Sequence, residues 1–404
     1  MLDRWAANPS TKGEKSRRVI GDSPALHADV PKLGQADAMQ KTKIAIACQG
    51  GGSQTAFTAG ALSQLLRAGV PRDFDIVSLS GASGGAICAA LAWAALRLGD
   101  PQPWERVEAF WEDNAATGPV ETWLNAAMLA TLRLSAKGAL PVLQTSPYSP
   151  GFQAGLSAAS LGGRAEYGDL GRMLARHLDE AELAQLDPAA GPVLLIGAVD
   201  VLSGRMREFS SREGPIQIVH MLASAAVPEL FQAVDTGDGG LYWDGLFSDN
   251  PPTGELIRDD VVGVENIPDE IWVIKINPTL RSRAPTAPDE IIDRRNELYG
   301  NISLFHQLAN IAKLNDLFLA DAFRPEFLAT SPVKRMIRIP RAFGHKPVMP
   351  YHMPCIEMSR ELQESLDYES KLDRSPKHLR RLFEDGHARA DEFLRVRAEP
   401  LSAG

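Results

Sequence analysis

Ser83 lies at the centre of a short motif that can supply a nucleophile. The motif, Gly81-Ala82-Ser83-Gly84-Gly85, matches G-x-S-x-G and stands between a predicted strand (74–79) and an Ala-rich predicted helix (86–98). Small neighbours permit the sharp turn that lifts a serine hydroxyl out of a sheet, and the free N–H groups of the following helix face an anion formed there. Taken alone, the motif also fits a glycine-rich turn without chemistry.

A second glycine run, Gly50-Gly51-Gly52-Ser53, follows the first predicted strand (43–48). Glycine reaches dihedral angles closed to other residues, so successive backbone N–H groups can converge on one oxyanion. Each such donor is worth about 3 kcal/mol in an acyl-transfer transition state. A phosphate-binding loop is the competing interpretation. However, no Lys-Ser/Thr pair follows for a Walker A loop, and Thr55 stands where G-x-G-x-x-G requires glycine.

Asp244 closes the apolar segment Leu241-Tyr242-Trp243 and is followed by Gly245. A carboxylate at a strand end, with a Pro-rich turn beyond it, is typical of a functional position. All three motifs follow predicted strands, at the edge where open α/β sheets place ligands. Asp238 is the alternative aspartate, but it lies in a Gly/Asp turn, whereas an aromatic strand leads into Asp244.

The order of the predicted elements indicates an α/β fold. Strand, helix, strand and helix alternate between residues 43 and 98, which is the start of a mostly parallel sheet. Further strands are predicted at 193–199, 271–276 and 333–339, and helices at 55–68, 215–226 and 289–320. Residues from about 101 to 163, with three Trp residues and Ala-rich stretches, are predicted to form an inserted helical cap.

Together these motifs resemble the patatin-like phospholipase family, whose pattern combines a glycine-rich oxyanion loop, G-x-S-x-G and a distant Asp-Gly. The segment from Ala223 to Phe231 is similar to the family's Ala-Ser-x-x-x-Pro-x-x-Phe, and the resemblance spans about residues 43–253. Residues 294–304 are similar to a C-terminal extension found in a bacterial subset of the family. The resemblance implies a three-layer α/β fold with a central mostly parallel sheet, an inserted helical cap and a helical C-terminal extension.

The resemblance also implies an activity: hydrolysis of lipid carboxylic esters, phospholipids or acylglycerols, through an acyl-serine and a Ser-Asp dyad without histidine. Carried over motif by motif, the implied roles are Ser83 as nucleophile, Asp244 as base, backbone N–H groups of Gly51, Gly52 and Ser53 as oxyanion hole, Gly81 and Gly85 at the turn around the nucleophile, and Gly50 and Gly245 as supporting residues. Two departures from the family pattern are Gln54-Thr55, where Arg or Lys and then Gly often stand, and Leu246, where Gly or Ala is frequent.

Three other functions fit parts of the same pattern. An ordinary α/β-hydrolase esterase would complete a triad with His306, His345 or His352, which follow Asp244 in the order that fold uses. An intracellular polyester (polyhydroxyalkanoate) depolymerase would use a serine site of the same kind. A non-catalytic lipid-binding protein of the same fold is the third alternative.

Composition limits the remaining choices. The 404 residues carry a formal net charge of -9, and the short basic run from Lys15 to Arg18 stands alone, which argues against a nucleic-acid partner. Cys48, Cys88 and Cys355 are too scattered for a disulfide framework, and no metal or other cofactor is expected because no cluster shows ligand spacing. There is no secretory apolar run in residues 1–40 and no 18-residue apolar window in the chain.

From these features we expect a cytoplasmic protein, in peripheral contact with membranes or lipid surfaces at most, and a homodimer formed through the long charged helix. The expected organisation is a disordered tail (1–40), a catalytic domain (41–280, with the cap at about 101–163) and a mainly helical extension (281–404) that packs on it.

Overall fold

The computed structural model describes residues 41–141, 146–159, 162–228, 230–340 and 353–398, so the predicted tail lies outside the described residues. Within these ranges eight strands form one mixed sheet: β1 (Lys43–Cys48), β2 (Asp75–Ala82), β3 (Val193–Asp200), β4 (Met206–Ser210), β5 (Val234–Asp235), β6 (Leu241–Asp244), β7 (Glu270–Lys275) and β8 (Ile356–Glu357).

The helices of the same ranges surround this sheet. They are α1 (Ala56–Arg67), α2 (Val70–Asp73), α3 (Gly84–Leu98), α4 (Glu105–Asn114), α5 (Pro119–Ala136), α6 (Pro150–Ala159), α7 (Ala165–Gly168), α8 (Leu170–Ala175), α9 (Glu180–Leu183), α10 (Ile218–Ser224), α11 (Asp259–Val262), α12 (Pro288–Leu319), α13 (Pro325–Thr330), α14 (Arg360–Ser365) and α15 (Pro376–Ala398). The cap region contains α4, α5 and α6.

The sheet is built around β1, which pairs in parallel with β2 on one side and with β7 on the other. β3 continues the parallel order beyond β2, and β8 continues it beyond β7. β4, β5 and β6 are antiparallel additions around β3. The predicted α/β fold with a mostly parallel sheet is therefore confirmed.

Both faces of the sheet are buried, which is why its central strands are apolar at nearly every position. Along β1, Ile44, Ile46 and Cys48 enter one apolar cluster, whereas Ala45 and Ala47 enter a second one on the opposite face. The first cluster contains residues of α1, α3 and α15, and the second contains residues of α12. Helices on both faces of one sheet make three layers.

One predicted strand is wrong. Residues 333–339 form no strand and contribute a single bridge between Arg338 and Glu270. The apolar residues Ile337 and Ile339 that suggested a strand are buried. Further along the same edge of β7, β8 pairs with Ile274 and Lys275. A later segment of the chain therefore occupies part of the edge along which a strand at 333–339 would have paired.

The C-terminal segment is part of the packed structure. β8 extends the sheet, and α15 lies against α1 so closely that no side chain fits at the crossing. A Cβ added to Gly60 would lie 2.1 Å from the Phe383 carbonyl oxygen, and one added to Gly386 would lie 2.2 Å from the Phe57 carbonyl oxygen. The two glycines therefore set the distance between these helices.

We predict that Gly386→Ala destabilises the protein by about 1–3 kcal/mol, because the added methyl group overpacks the crossing. In an exposed helix the same change would stabilise the protein by about 1 kcal/mol. The sign of the change in stability therefore shows whether the two helices are in close contact at Gly386. The measurement is the urea midpoint of unfolding. Gly214→Ala is the matched control, since no atom lies within 4 Å of its added Cβ. Equal midpoints for the two variants would contradict the close contact.

Candidate active site

The register of the sheet brings Ser83 and Asp244 together. Gly197 of β3 pairs with Ala82 of β2 and with Glu208 of β4, while the next residue, Ala198, pairs with β4 and with Asp244 of β6. Since β4 occupies one edge of β3, β2 and β6 must share the other. The last residue of β6 therefore meets the turn that follows β2.

The two side chains are in direct contact. The Ser83 hydroxyl donates a hydrogen bond of 2.7 Å to Oδ2 of Asp244, and Oδ1 of Asp244 accepts the N–H of Leu246 at 2.7 Å. Asp244 is fully buried, and Ser83 is 6% exposed. At 2.7 Å no third group fits between the two oxygens.

Ser83 occupies a strained backbone conformation at the N-terminus of α3, with φ 53° and ψ −133°. A non-glycine residue with positive φ costs of order 1–3 kcal/mol unless its surroundings impose it. Here the surroundings are tight: a Cβ on Gly81 would lie 2.5 Å from the Gly85 carbonyl oxygen, and one on Gly85 would lie 2.3 Å from that of Cys48. The turn therefore fits only with glycine at both positions.

Ser224, at the end of α10, holds this turn from the other side. Its hydroxyl accepts the Ser83 N–H at 2.9 Å and donates to the Gly197 carbonyl at 2.6 Å. In the sequence, the segment 223–231 is distinguished only by its resemblance to a family motif. In the structure, the two hydrogen bonds of Ser224 link the turn to β3.

The glycine run after β1 forms a loop beside this turn. Gly51 and Gly52 precede and open a 3-10 turn (Gly52–Thr55) that also contains Ser53, and Gly52 has φ +58°, a value that glycine tolerates best. Gly50 is held by a residue 200 positions away in the sequence, because its N–H donates to Oδ1 of Asn250 at 2.6 Å. Gly245 opens a further 3-10 turn directly after Asp244.

Lys371 from the C-terminal segment packs on the same loop and was not predicted from the sequence. Its carbonyl oxygen would lie 2.2 Å from a Cβ on Gly52, and its Nζ donates to Oδ1 of Asn277 at 3.0 Å. Burial lowers the pKa of Lys371 to about 8, although the charges of Glu297, Asp244 and Asp293 act to raise it. No local pattern around Lys371 marks it in the sequence.

The other candidate residues have different environments. Asp238 accepts hydrogen bonds from Tyr242, Thr236 and Gly240 within its own turn. His306 is exposed on α12, and His345 and His352 lie outside the described residues. In the part of the chain that the structure describes, one cluster of three carboxylate side chains has metal-ligand spacing. Its members are Glu208, Asp249 and Glu255.

A serine on a strained strand-to-helix turn at the end of a parallel sheet is the arrangement of the serine hydrolases. The family model for patatin-like phospholipase matches residues 46–257, more than half of the chain. The protein therefore belongs to the patatin-like phospholipase family, as its motifs predicted, and the family implies an ester-bond hydrolase acting on lipids.

The crystal structure of VipD from Legionella pneumophila is similar with a TM-score of 0.36 and 14% sequence identity, over 88% of this chain and 67% of that one. No match to the chain was found among curated proteins. None of the helices in the described ranges is long and apolar enough to cross a membrane.

We predict that Ser224→Ala lowers the free energy of unfolding by about 1–3 kcal/mol, because it leaves the buried Ser83 N–H and the Gly197 carbonyl without their partner. The measurement is chemical unfolding. Ser282→Ala, at an exposed serine, is the control and is expected to stay within about 0.5 kcal/mol of the wild type. A Ser224→Ala protein as stable as this control would show that the hydroxyl is not needed to hold the turn.

Proposed function

We propose that the protein is a serine acyl hydrolase that cleaves lipid carboxylic esters through a dyad of Ser83 and Asp244. The observation that carries the proposal is the 2.7 Å hydrogen bond from the Ser83 hydroxyl to Asp244 Oδ2. A serine hydroxyl is a weak nucleophile until a neighbouring base takes its proton, and a contact of this length suits that transfer.

In the proposed reaction, Ser83 Oγ attacks the ester carbonyl carbon while its proton passes to Asp244. The tetrahedral intermediate collapses, the C–O bond to the alcohol breaks, and Asp244 returns the proton to the leaving oxygen. Water then attacks the acyl-serine and gives its proton to Asp244. The bond from the acyl carbon to Ser83 Oγ breaks, Asp244 returns the proton to Ser83 Oγ, and the fatty acid departs. The carboxylate thus acts twice as base and twice as acid.

The loop after β1 is proposed to hold the oxyanion. Among the described residues the N–H groups of Gly51 and Gly52 donate no hydrogen bond, and Gly52 is exposed where a substrate can reach it. Ser53 follows them in the same 3-10 turn. Unpaired donors beside a nucleophile are what a developing negative charge requires, and the N-terminus of α3 adds a favourable dipole.

We predict that Ser83→Ala and Asp244→Asn each lower kcat/KM for ester hydrolysis by about 10³-fold or more, because the nucleophile or its base is lost. His306→Ala, His345→Ala and His352→Ala are each expected to stay within about tenfold of the wild type, whereas a triad histidine would cost about 10⁴. The measurement is steady-state hydrolysis of a panel of phospholipids, acylglycerols and a polyhydroxyalkanoate.

Asp238→Asn is the matched control for Asp244→Asn and should retain full activity. A histidine variant that loses as much activity as Ser83→Ala would replace the dyad with a triad. A fluorophosphonate that fails to label Ser83 in the folded wild type would favour the non-catalytic lipid-binding alternative, and a preference for the polyester would favour the depolymerase.

An unusual distribution of side chains on α5 supports contact with a lipid surface. The buried face carries Glu121 and Asn125, which bind Arg164 and Asp373, whereas Trp123 is 68% exposed and Leu134 is 46% exposed. Polar residues normally face water and apolar ones the core. In α5 two of the three buried residues are polar, the third being Leu129, while Trp123 and Leu134 are exposed. We propose that the exposed apolar side chains enter a lipid surface.

We predict that Trp123→Asp weakens binding to phosphatidylcholine vesicles at least tenfold, because about 3 kcal/mol of apolar burial is lost and a charge is added. Zwitterionic vesicles are chosen because the chain carries a net charge of -9. Sedimentation with vesicles measures the binding. Leu202→Asp is the control, since Leu202 is equally exposed, at 73%, but lies outside α5. Unchanged binding of the Trp123 variant would remove α5 from the proposal.

The cytoplasmic location, the homodimer through α12 and the boundary between a catalytic domain (41–280) and an extension (281–404) stay predictions. Exposed apolar residues on α12, such as Leu298 and Tyr299, are the surface through which a dimer would form.

A further inference from the structure

Three carboxylates that lie far apart in the sequence meet on the side of β3 that faces away from β2. Glu208 is on β4, Asp249 follows the 3-10 turn after Asp244, and Glu255 opens another 3-10 turn (Glu255–Ile257). One oxygen from each lies within 4.8 Å of the others. The fold therefore concentrates a formal charge of about −3 in a small volume.

No ion pair in the described part of the chain neutralises this group. Asp249 is only 9% exposed, and its carboxylate accepts no hydrogen bond and forms no ion pair with the described residues. Oε2 of Glu255 is also buried without a hydrogen-bond partner there. A buried carboxylate without a partner is costly, so Asp249 with two further carboxylate oxygens within 4.8 Å requires an explanation.

The arginines whose charges act on the group are engaged elsewhere. Arg207 pairs with Glu213 at 3.1 Å and with Asp238 at 3.8 Å. Arg258 binds Asp260 at 2.6 Å. Neither guanidinium makes a hydrogen bond or ion pair with the three carboxylates in the ranges described here.

Two ligands can relieve the repulsion: protons or a cation. Burial, together with the neighbouring carboxylates, raises the pKa of Glu208 to about 7 and that of Asp249 to about 6. A cation bound to the three oxygens neutralises this charge. Oxygen donors select hard cations such as Ca²⁺ and Mg²⁺.

The number of carboxylates favours the larger ion. Mg²⁺ keeps several of its waters and is usually held by one or two carboxylates, whereas Ca²⁺ accepts more protein oxygens in a flexible geometry. Three protein carboxylates leave coordination positions for water, and Glu208 and Glu255 are partly exposed, so solvent can reach the group. A site of three carboxylates therefore matches calcium.

We propose that Glu208, Asp249 and Glu255 form a calcium site that joins β4 to the segment following Asp244. The site is separate from the ester-cleaving dyad, and its occupancy does not depend on the proposed hydrolysis. It bears on the dyad through the chain, because Asp249 precedes Asn250, whose side chain holds Gly50 of the glycine loop.

The test is calcium binding by chelator-treated protein, followed by calorimetry and by thermal unfolding. We expect one Ca²⁺ per chain, and a rise in Tm of about 3–5 °C at a concentration one hundred times the Kd. Asp249→Asn is expected to weaken binding at least tenfold and, because it removes an unpaired buried charge, to raise the Tm of the metal-free protein. Glu208→Gln serves as a second variant at a partly exposed position.

Glu182→Gln, at an exposed glutamate on α9, is the control and should bind calcium as the wild type does. Absence of binding at 10 mM Ca²⁺ together with a more stable Asp249→Asn protein would overturn the proposal and show a proton-sharing carboxylate group. Binding of Mg²⁺ as tight as that of Ca²⁺ would overturn the assignment to calcium.

Discussion

The contact between Ser83 and Asp244 depends on how tightly chain segments converge on Gly197. Its carbonyl accepts the Ser224 hydroxyl, and a Cβ on Gly245 would lie 2.3 Å from the same oxygen. A Cβ on Gly197 itself would lie 3.0 Å from Pro252 and 3.1 Å from the Asp249 carbonyl oxygen. Because Gly197 has no side chain, the Ser83 turn, Asp244 and the segment after it can share a small volume.

This convergence also explains how the strained backbone of Ser83 is maintained. The turn is fixed by the Ser224 hydrogen bond and by close backbone packing at its two flanking glycines, so relaxation would break several contacts at once. A strain of about 1–3 kcal/mol is small compared with the free energy of these contacts taken together. The same contacts keep the Ser83 hydroxyl at hydrogen-bond distance from Asp244, so the backbone strain and the position of this hydroxyl have one cause.

Local motifs made part of this site predictable from the sequence, and long-range contacts hid the rest. The serine turn, the glycine run and Asp244 each sit in a short pattern after an apolar strand, which is why they could be found. Lys371 acts on the loop from more than 300 residues away and is an ordinary surface residue type. Asn250-Pro251 stands in the pattern after Asp244, but the hydrogen bond between Asn250 and Gly50 spans 200 residues and has no local signal. The antiparallel strands β5 and β6 have two and four residues, too few for a periodic signal.

The site also shows that the family match does not mark the limit of the folding unit. The matched region ends at residue 257, yet β7 pairs with β1, whose end leads into the glycine loop. Gln49 at that point accepts the N–H groups of Ile276 and Asn277 and donates to the Gly300 carbonyl. Because one neighbour of β1 and the partners of Gln49 come from segments after residue 257, the geometry of the loop depends on the chain well beyond that residue.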